Sequence, residues 1–90
     1  MKVKEIFIAP EFWTQGKFAR DKYARETSTS CGYSFCLVGA INKCYFDVVE
    51  ADRIIQKIRK HLGTQFVTDW NDSEDRKFEE VKKLVNDLDI

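Results

Sequence analysis

The sequence is short of the residues from which reactive sites are most often built. It holds one histidine, one methionine, one proline, four glycines and three cysteines in 90 residues. With His61 as the sole histidine and no Cys-x2-Cys pair, the tightly spaced ligands of a structural zinc site are missing, and no metal or cofactor is expected. Cys31, Cys36 and Cys44 are instead separated by four and seven intervening residues. No glycine-rich loop that would cradle a phosphate is present. Lysine plus arginine equal aspartate plus glutamate at 15 each, so no general electrostatic attraction to nucleic acid or to an anionic membrane is expected. The most apolar stretch, Ser34–Phe46, is too short for the about 20 apolar residues that span a bilayer. Met1–Pro10 lacks the apolar core and cleavage site of a signal peptide. Together with an odd number of cysteines, that predicts reduced thiols and a cytoplasmic protein. There is no internal repeat, linker or low-complexity tract, so residues 1–90 are expected to form a single domain.

What is present is enough for a core. Apolar residues make up 43% of the chain, and seven Phe, three Tyr and two Trp supply large burial per residue. Ser34–Phe46 carries no charge before Asn42 and is predicted to be a buried central helix, with Ser34 as its N-cap. Gly39 and Ala40 within it leave almost no side chain on one patch, which predicts a close approach of another backbone. Ala51, Ile54, Ile55, Ile58 and Leu62 keep the i, i+3, i+4, i+7 spacing of a helix over 50–62, stopped by Gly63 in a left-handed cap. Phe78, Val81, Leu84, Val85 and Leu88 mark a third helix over 73–88, capped by Asp72 or Ser73. Before these, Val3–Ile8 reads as a strand or a helical turn halted by Pro10, and Gly16 as a turn residue. Lys17–Arg25 reads as extended or irregular, 26–30 as a polar loop, and Gln65–Thr68 as an extended connector. The expected fold is therefore a mainly helical α+β domain: three helices, near 34–46, 50–62 and 73–88, with an N-terminal extended hairpin or loop packed on them.

Three constellations could carry chemistry. Cys36 near a helix N-terminus could be a nucleophile with His61 as base and Asp69, Asn71 or Asp72 to orient it. Its apolar surroundings argue for a buried structural thiol instead, and no catalytic residue is assigned. Asp69, Asp72, Glu74 and Asp75 form the densest carboxylate group, but without the calcium-loop spacing they read as helix-capping residues. Trp13 and Trp70 both lie in polar contexts. They either close the edge of the core or line a groove with Gln15, Arg20, Asn71 and Asp72, since aromatic and arginine side chains dominate interface hot spots. Charge is also uneven. Residues 1–30 hold six basic and four acidic side chains, residues 61–90 four basic and eight acidic, and Arg53, Lys57, Arg59 and Lys60 form a basic helix face. Solvated helix faces explain this, and a polarised binding surface is the alternative.

Four of these segments, in order, resemble a family of small uncharacterised proteins of bacteria and phages. They are Trp13-Thr14-Gln15-Gly16, Ala19-Arg20-Asp21, Cys36-Leu37-Val38-Gly39-Ala40, and Trp70-Asn71-Asp72 with Arg76 following. The resemblance runs from about Trp13 to Leu88. Similar proteins begin with a longer amphipathic helix, where this chain has only Val3–Ile8 before Pro10. That family is a domain of unknown function, so the resemblance implies positions rather than a mechanism: Trp13, Gln15, Gly16, Arg20, Asp21, Trp70, Asn71, Asp72 and Arg76.

The leading expectation is a non-enzymatic interaction module, an accessory protein of bacterial or phage (viral) kind that binds a host protein of the defence or regulatory machinery. The alternative is a small enzyme or ligand-binding protein with a pocket around Trp13, Arg20, Asn71 and Asp72. Nucleic-acid binding through the basic helix is a third, less favoured reading.

Overall fold

The carbonyl oxygen of Phe18 occupies the place where residue 39 would carry a side chain. The computed structural model describes residues 1–90. In it, a Cβ at Gly39 would lie 1.9 Å from that oxygen. The segment around Phe18 therefore crosses the first turn of the central helix at backbone distance, as the Gly39–Ala40 pair predicts. The same oxygen accepts from the Cys36 N–H at 3.1 Å.

This crossing decides where the central helix begins. Ala19–Arg20 (β1) pairs antiparallel with Ser34–Phe35 (β2), Ala19 opposite Phe35 and Arg20 opposite Ser34. Ser34 is thus a buried strand residue, not a helix cap, and the helix expected over 34–46 is Leu37–Cys44 (α1). Its cap is Cys36, whose sulfur accepts from the Gly39 N–H at 3.3 Å. At the other end Tyr45 is already extended. Leu37, Ala40 and Ile41 are fully buried, and α1 packs on the next two helices, so it is the centre of the core.

Helix α2, Val48–Leu62, starts two residues before the expected Glu50 because the Asp47 carboxylate accepts from the Val49 N–H at 2.8 Å. It ends where predicted, with Gly63 left-handed at φ 69°. Ala51 and Ile58 face the core, with Ile54, Ile55 and Leu62 half-buried at its margin. Helix α3, Val67–Asp72, replaces the extended connector expected at Gln65–Thr68 and takes in the Trp70-Asn71-Asp72 segment. It is under two turns long, so it shows no periodicity in the sequence beyond Val67 and Asn71, which are buried one turn apart. Ser73 leaves the helical region at ψ 135°, and the last helix, α4, is Phe78–Leu88 rather than 73–88. Neither Asp72 nor Ser73 caps it. The Glu80 carboxylate reaches back to the Lys77 N–H at 2.9 Å, satisfying a donor that would otherwise be unpaired. Phe78, Val81, Leu84 and Val85 are its buried stripe.

The N-terminal segment is a helical turn and not a strand: Val3–Glu5 forms one 3-10 turn and Pro10–Phe12 another. Val3 and Phe7 are fully buried, and the Val3 N–H donates to the Ile90 carbonyl at 2.7 Å, which joins the first turn to the end of the chain. The fold is α+β and mainly α. No helix is long and apolar enough to cross a membrane.

Candidate functional site

Asn71 lies fully buried on the inner face of α3, with both ends of its amide engaged. Its Oδ1 accepts from the Trp13 indole Nε1–H at 2.8 Å and from the Leu37 N–H at 3.0 Å, the latter an otherwise free donor of the first turn of α1. Its Nδ2 donates to the Thr14 carbonyl at 3.1 Å and to Asp72 Oδ1 at 2.9 Å. One side chain thereby joins the N-terminal segment, α1 and α3. Trp13 reaches it because Trp13 and Thr14 run beside β2, with the Thr14 N–H donating to the Phe35 carbonyl at 3.0 Å.

Gln15 and Gly16 close the same junction. The Gln15 amide donates to the carbonyls of Asn71 (2.8 Å) and Ser73 (2.9 Å), acceptors at the end of α3 with no helical partner. Gly16, at φ +82°, turns its N–H onto Asp72 Oδ1 at 3.0 Å. Arg20 braces the loop from behind. Its Nε donates to Thr14 Oγ1 at 2.9 Å, Nη2 to the Gln15 carbonyl at 3.1 Å and Nη1 to the Ala24 carbonyl at 3.2 Å. Thr14 and Ser73 belong to this junction, and sequence reading missed both. Thr14 sits inside the Trp-x-x-Gly segment, and that was the available signal.

The other predicted residues lie elsewhere. Asp21 folds the tip of the β1–β2 connection: its carboxylate accepts from the N–H groups of Tyr23 (2.8 Å) and Arg25 (3.1 Å), and Ala24 is left-handed at φ 65°. The Arg25 N–H, followed by that of Tyr23, holds the Asp21 pKa below the usual range. Trp70 faces away from Asn71, into an open cleft of about 490 Å³ between the end of α2 and α4. There the Arg76 guanidinium lies 3.9 Å from the centre of the Trp70 ring. Its Nε donates to the Trp70 carbonyl at 2.8 Å and its Nη1 to Glu80 at 2.9 Å. The Lys77 N–H is the main cause of the lowered Glu80 pKa, and Arg76 adds to it. The nine candidate residues thus fall into a junction around buried Asn71 (with Trp13, Gln15, Gly16 and Asp72, and Arg20 behind it), a loop tip (Asp21), and the wall of an open cleft (Trp70 and Arg76).

Cys36 and His61 do not form a pair. Cys36 is 1% exposed, its sulfur is held by the Gly39 N–H, and burial pushes its thiol pKa up. His61 is exposed beside Trp70 in the open cleft, whereas Cys36 backs a different recess of about 170 Å³ with Lys17, Glu26, Thr68 and Asp72. That recess is smaller than the roughly 300–1,000 Å³ of ordinary ligand sites. Of the four residues expected around a pocket, only Asp72 lines it. No three His, Cys, Asp or Glu side chains gather where they could hold a metal ion.

Neither the curated proteins nor the solved structures include a match to this chain. One family model, described as a family of unknown function, matches residues 5–88, nearly the whole of the chain. The chain therefore belongs to that family of unknown function, DUF6197.

Proposed function

We propose that the protein is a non-enzymatic interaction module, a cytoplasmic accessory protein of bacterial or phage kind that binds a protein partner of the host through the Trp70–Arg76 face. The observation that carries this reading is the stack of the Arg76 guanidinium on the Trp70 ring at 3.9 Å, on the wall of an open cleft. Tryptophan and arginine are the side chains most enriched at interface hot spots, and here each holds the other's rotamer before a partner arrives. His61, Lys83 and Asp87 rim the cleft with charge of both signs, which suits a polar protein surface better than a polyanion. The alternative pocket around Trp13, Arg20, Asn71 and Asp72 has weaker support, because the indole N–H of Trp13 and both ends of the Asn71 amide are engaged within the chain.

The test is affinity capture from nuclease-treated host lysate, read by mass spectrometry, with wild type beside Trp70→Ala and beside Lys83→Glu. Lys83 is exposed and meets only Asp87, so its variant leaves the core untouched. A stoichiometric protein held by wild type and lost from both folded variants supports the reading. The same proteins recovered with all three chains, or none recovered with any, would remove it.

A further inference from the structure

Five large apolar side chains lie along one edge of α2, in two grooves that Trp70 does not line. Phe46 is 87% exposed, Val48 81%, Phe66 66% and Phe18 53%. Ile55 links them: one groove holds Phe46, Val48 and Ile55, and a second holds Ile55, Phe18 and Phe66. The exposed parts of the three phenylalanines alone amount to about 300–500 Å². That is as large as the greatest apolar patch of a typical monomer, roughly 300–600 Å².

The edge of α2 has a pattern of its own. Val48, Asp52, Ile55 and Arg59 follow at intervals of four, three and four, the seam spacing by which two helices pack side by side. Asp52 and Arg59 flank Ile55 in the two grooves, and neither takes part in an ion pair within the chain. Arg59 makes one bond, from Nε to the Gln65 carbonyl at 3.0 Å, which leaves the Nη groups of its fork free.

We propose that this edge is a two-fold interface and that its occupant is a second copy of the chain, packed with α2 antiparallel to α2. A two-fold axis beside α2, between positions 55 and 56, sets Asp52 of each copy opposite Arg59 of the other and brings the two Ile55 side chains together. Phe46, just before α2, then meets Phe66, just after it, in the other copy. The surface is self-complementary in charge and in apolar content, as an isologous contact requires. A net charge of zero puts no long-range repulsion between two copies. The exposed phenylalanine area, with Val48, Ile55 and the flanking charges added, approaches the about 600 Å² per partner at the lower bound of specific interfaces. None of the residues lining these two grooves lines the Trp70 cleft, so this inference does not rest on the proposed partner site.

Sedimentation velocity over a concentration series of the purified full chain tests it. Wild type is expected to dimerise, and Phe46→Glu, at an exposed site, to be monomeric with the melting temperature that wild type shows at dilutions where it too is monomeric. Asp52→Arg and Arg59→Asp should each weaken the dimer about tenfold or more, since each sets like charges opposite one another. An equimolar mixture of those two variants restores both pairs and should recover the dimer as a heterodimer. Wild type that stays monomeric up to about 1 mM would overturn the proposal. So would a dimer indifferent to Phe46→Glu, or a mixture no tighter than its components.

Discussion

The indole N–H of Trp13 meets the side-chain oxygen of Asn71 at 2.8 Å, across 58 positions of the chain. The same oxygen also takes the Leu37 N–H, so removing it leaves two donors in the interior without a partner. Asn71→Ala should therefore cost about 2–4 kcal/mol in urea unfolding followed by tryptophan fluorescence. Asn71→Asp keeps the acceptor but loses both donated bonds and sets a second carboxylate against Asp72. It should be at least as unstable near neutral pH. A loss below about 0.5 kcal/mol for either variant would mean that the junction does not hold the fold.

Gly39 and Gly63 are expected to respond differently to the same methyl group. At Gly39 it collides with the Phe18 carbonyl, which is fixed backbone, so Gly39→Ala should cost about 3 kcal/mol or more, or yield no soluble protein. At Gly63 the space is open and only the left-handed backbone opposes it, so Gly63→Ala should cost roughly 1 kcal/mol. Equal losses in a denaturation series would contradict the close crossing at Gly39.

The three thiols should react in a fixed order with an aromatic disulfide reagent. Cys31 is exposed, and the hydroxyls of Ser28 and then Ser30, with Lys43 nearby, lower its pKa, so it reacts first. Cys44 is half-buried and its pKa is raised by burial, so it follows slowly. Cys36 should react only on unfolding. A fast Cys36 in the folded protein would refute its role as a buried cap and reopen the nucleophile reading.

Acid should weaken the fold in a defined window. Lys4 and then Lys2 draw the Asp89 pKa down to about 2. A carboxylate with a folded pKa below its unfolded value of about 3.9 contributes stability that is present above that value. That contribution is lost as pH falls toward 2. Asp21 and Glu80 are shifted in the same direction and add to the slope. The urea midpoint should decline between about pH 4 and pH 2, and Asp89→Asn should flatten the decline. Added salt should shrink the difference between the two proteins, because Asp89 is exposed. An identical slope in the variant would assign the acid sensitivity to other groups.

The elements that could be read from the sequence are those with a local cause. The stripes of α2 and α4 follow from a 3.6-residue period, and the Gly63 cap and the Gly16 turn from backbones only glycine adopts freely. The demand of Gly39 for a close neighbour was also legible, though not which neighbour answered it. What the sequence hid has a distant cause. Ser34 and Phe35 carry nothing that forbids a helix, and pairing with Ala19 and Arg20 makes them a strand. Ser73 would cap a helix well, yet the Gln15 amide holds its carbonyl as part of the junction, and Glu80 starts α4 four residues later than a Ser73 cap would. Trp13, Gln15, Asn71 and Asp72 stood out as unusual polar and aromatic residues. Their hydrogen bonds tie two regions of the chain to each other, and a motif of residue types does not distinguish such a tie from a site that binds something else. Trp70 and Arg76 stood out for the same reason; both are half-buried, Trp70 against the core, on the wall of an open cleft.

The hydrogen bond from Val3 to Ile90, with the Lys2 and Lys4 bridges to Asp89 beside it, sets the first and last residues of the domain next to each other. The order in which the segments are strung together is then replaceable. A short flexible peptide can join position 90 to position 1, and new ends can be opened between Thr27 and Ser28, ahead of the 3-10 turn at Thr29–Cys31. Such a circular permutant would keep the Asn71 junction and the Gly39 crossing, with the loop tip and β1 at one end of the rearranged chain and β2 and α1 at the other.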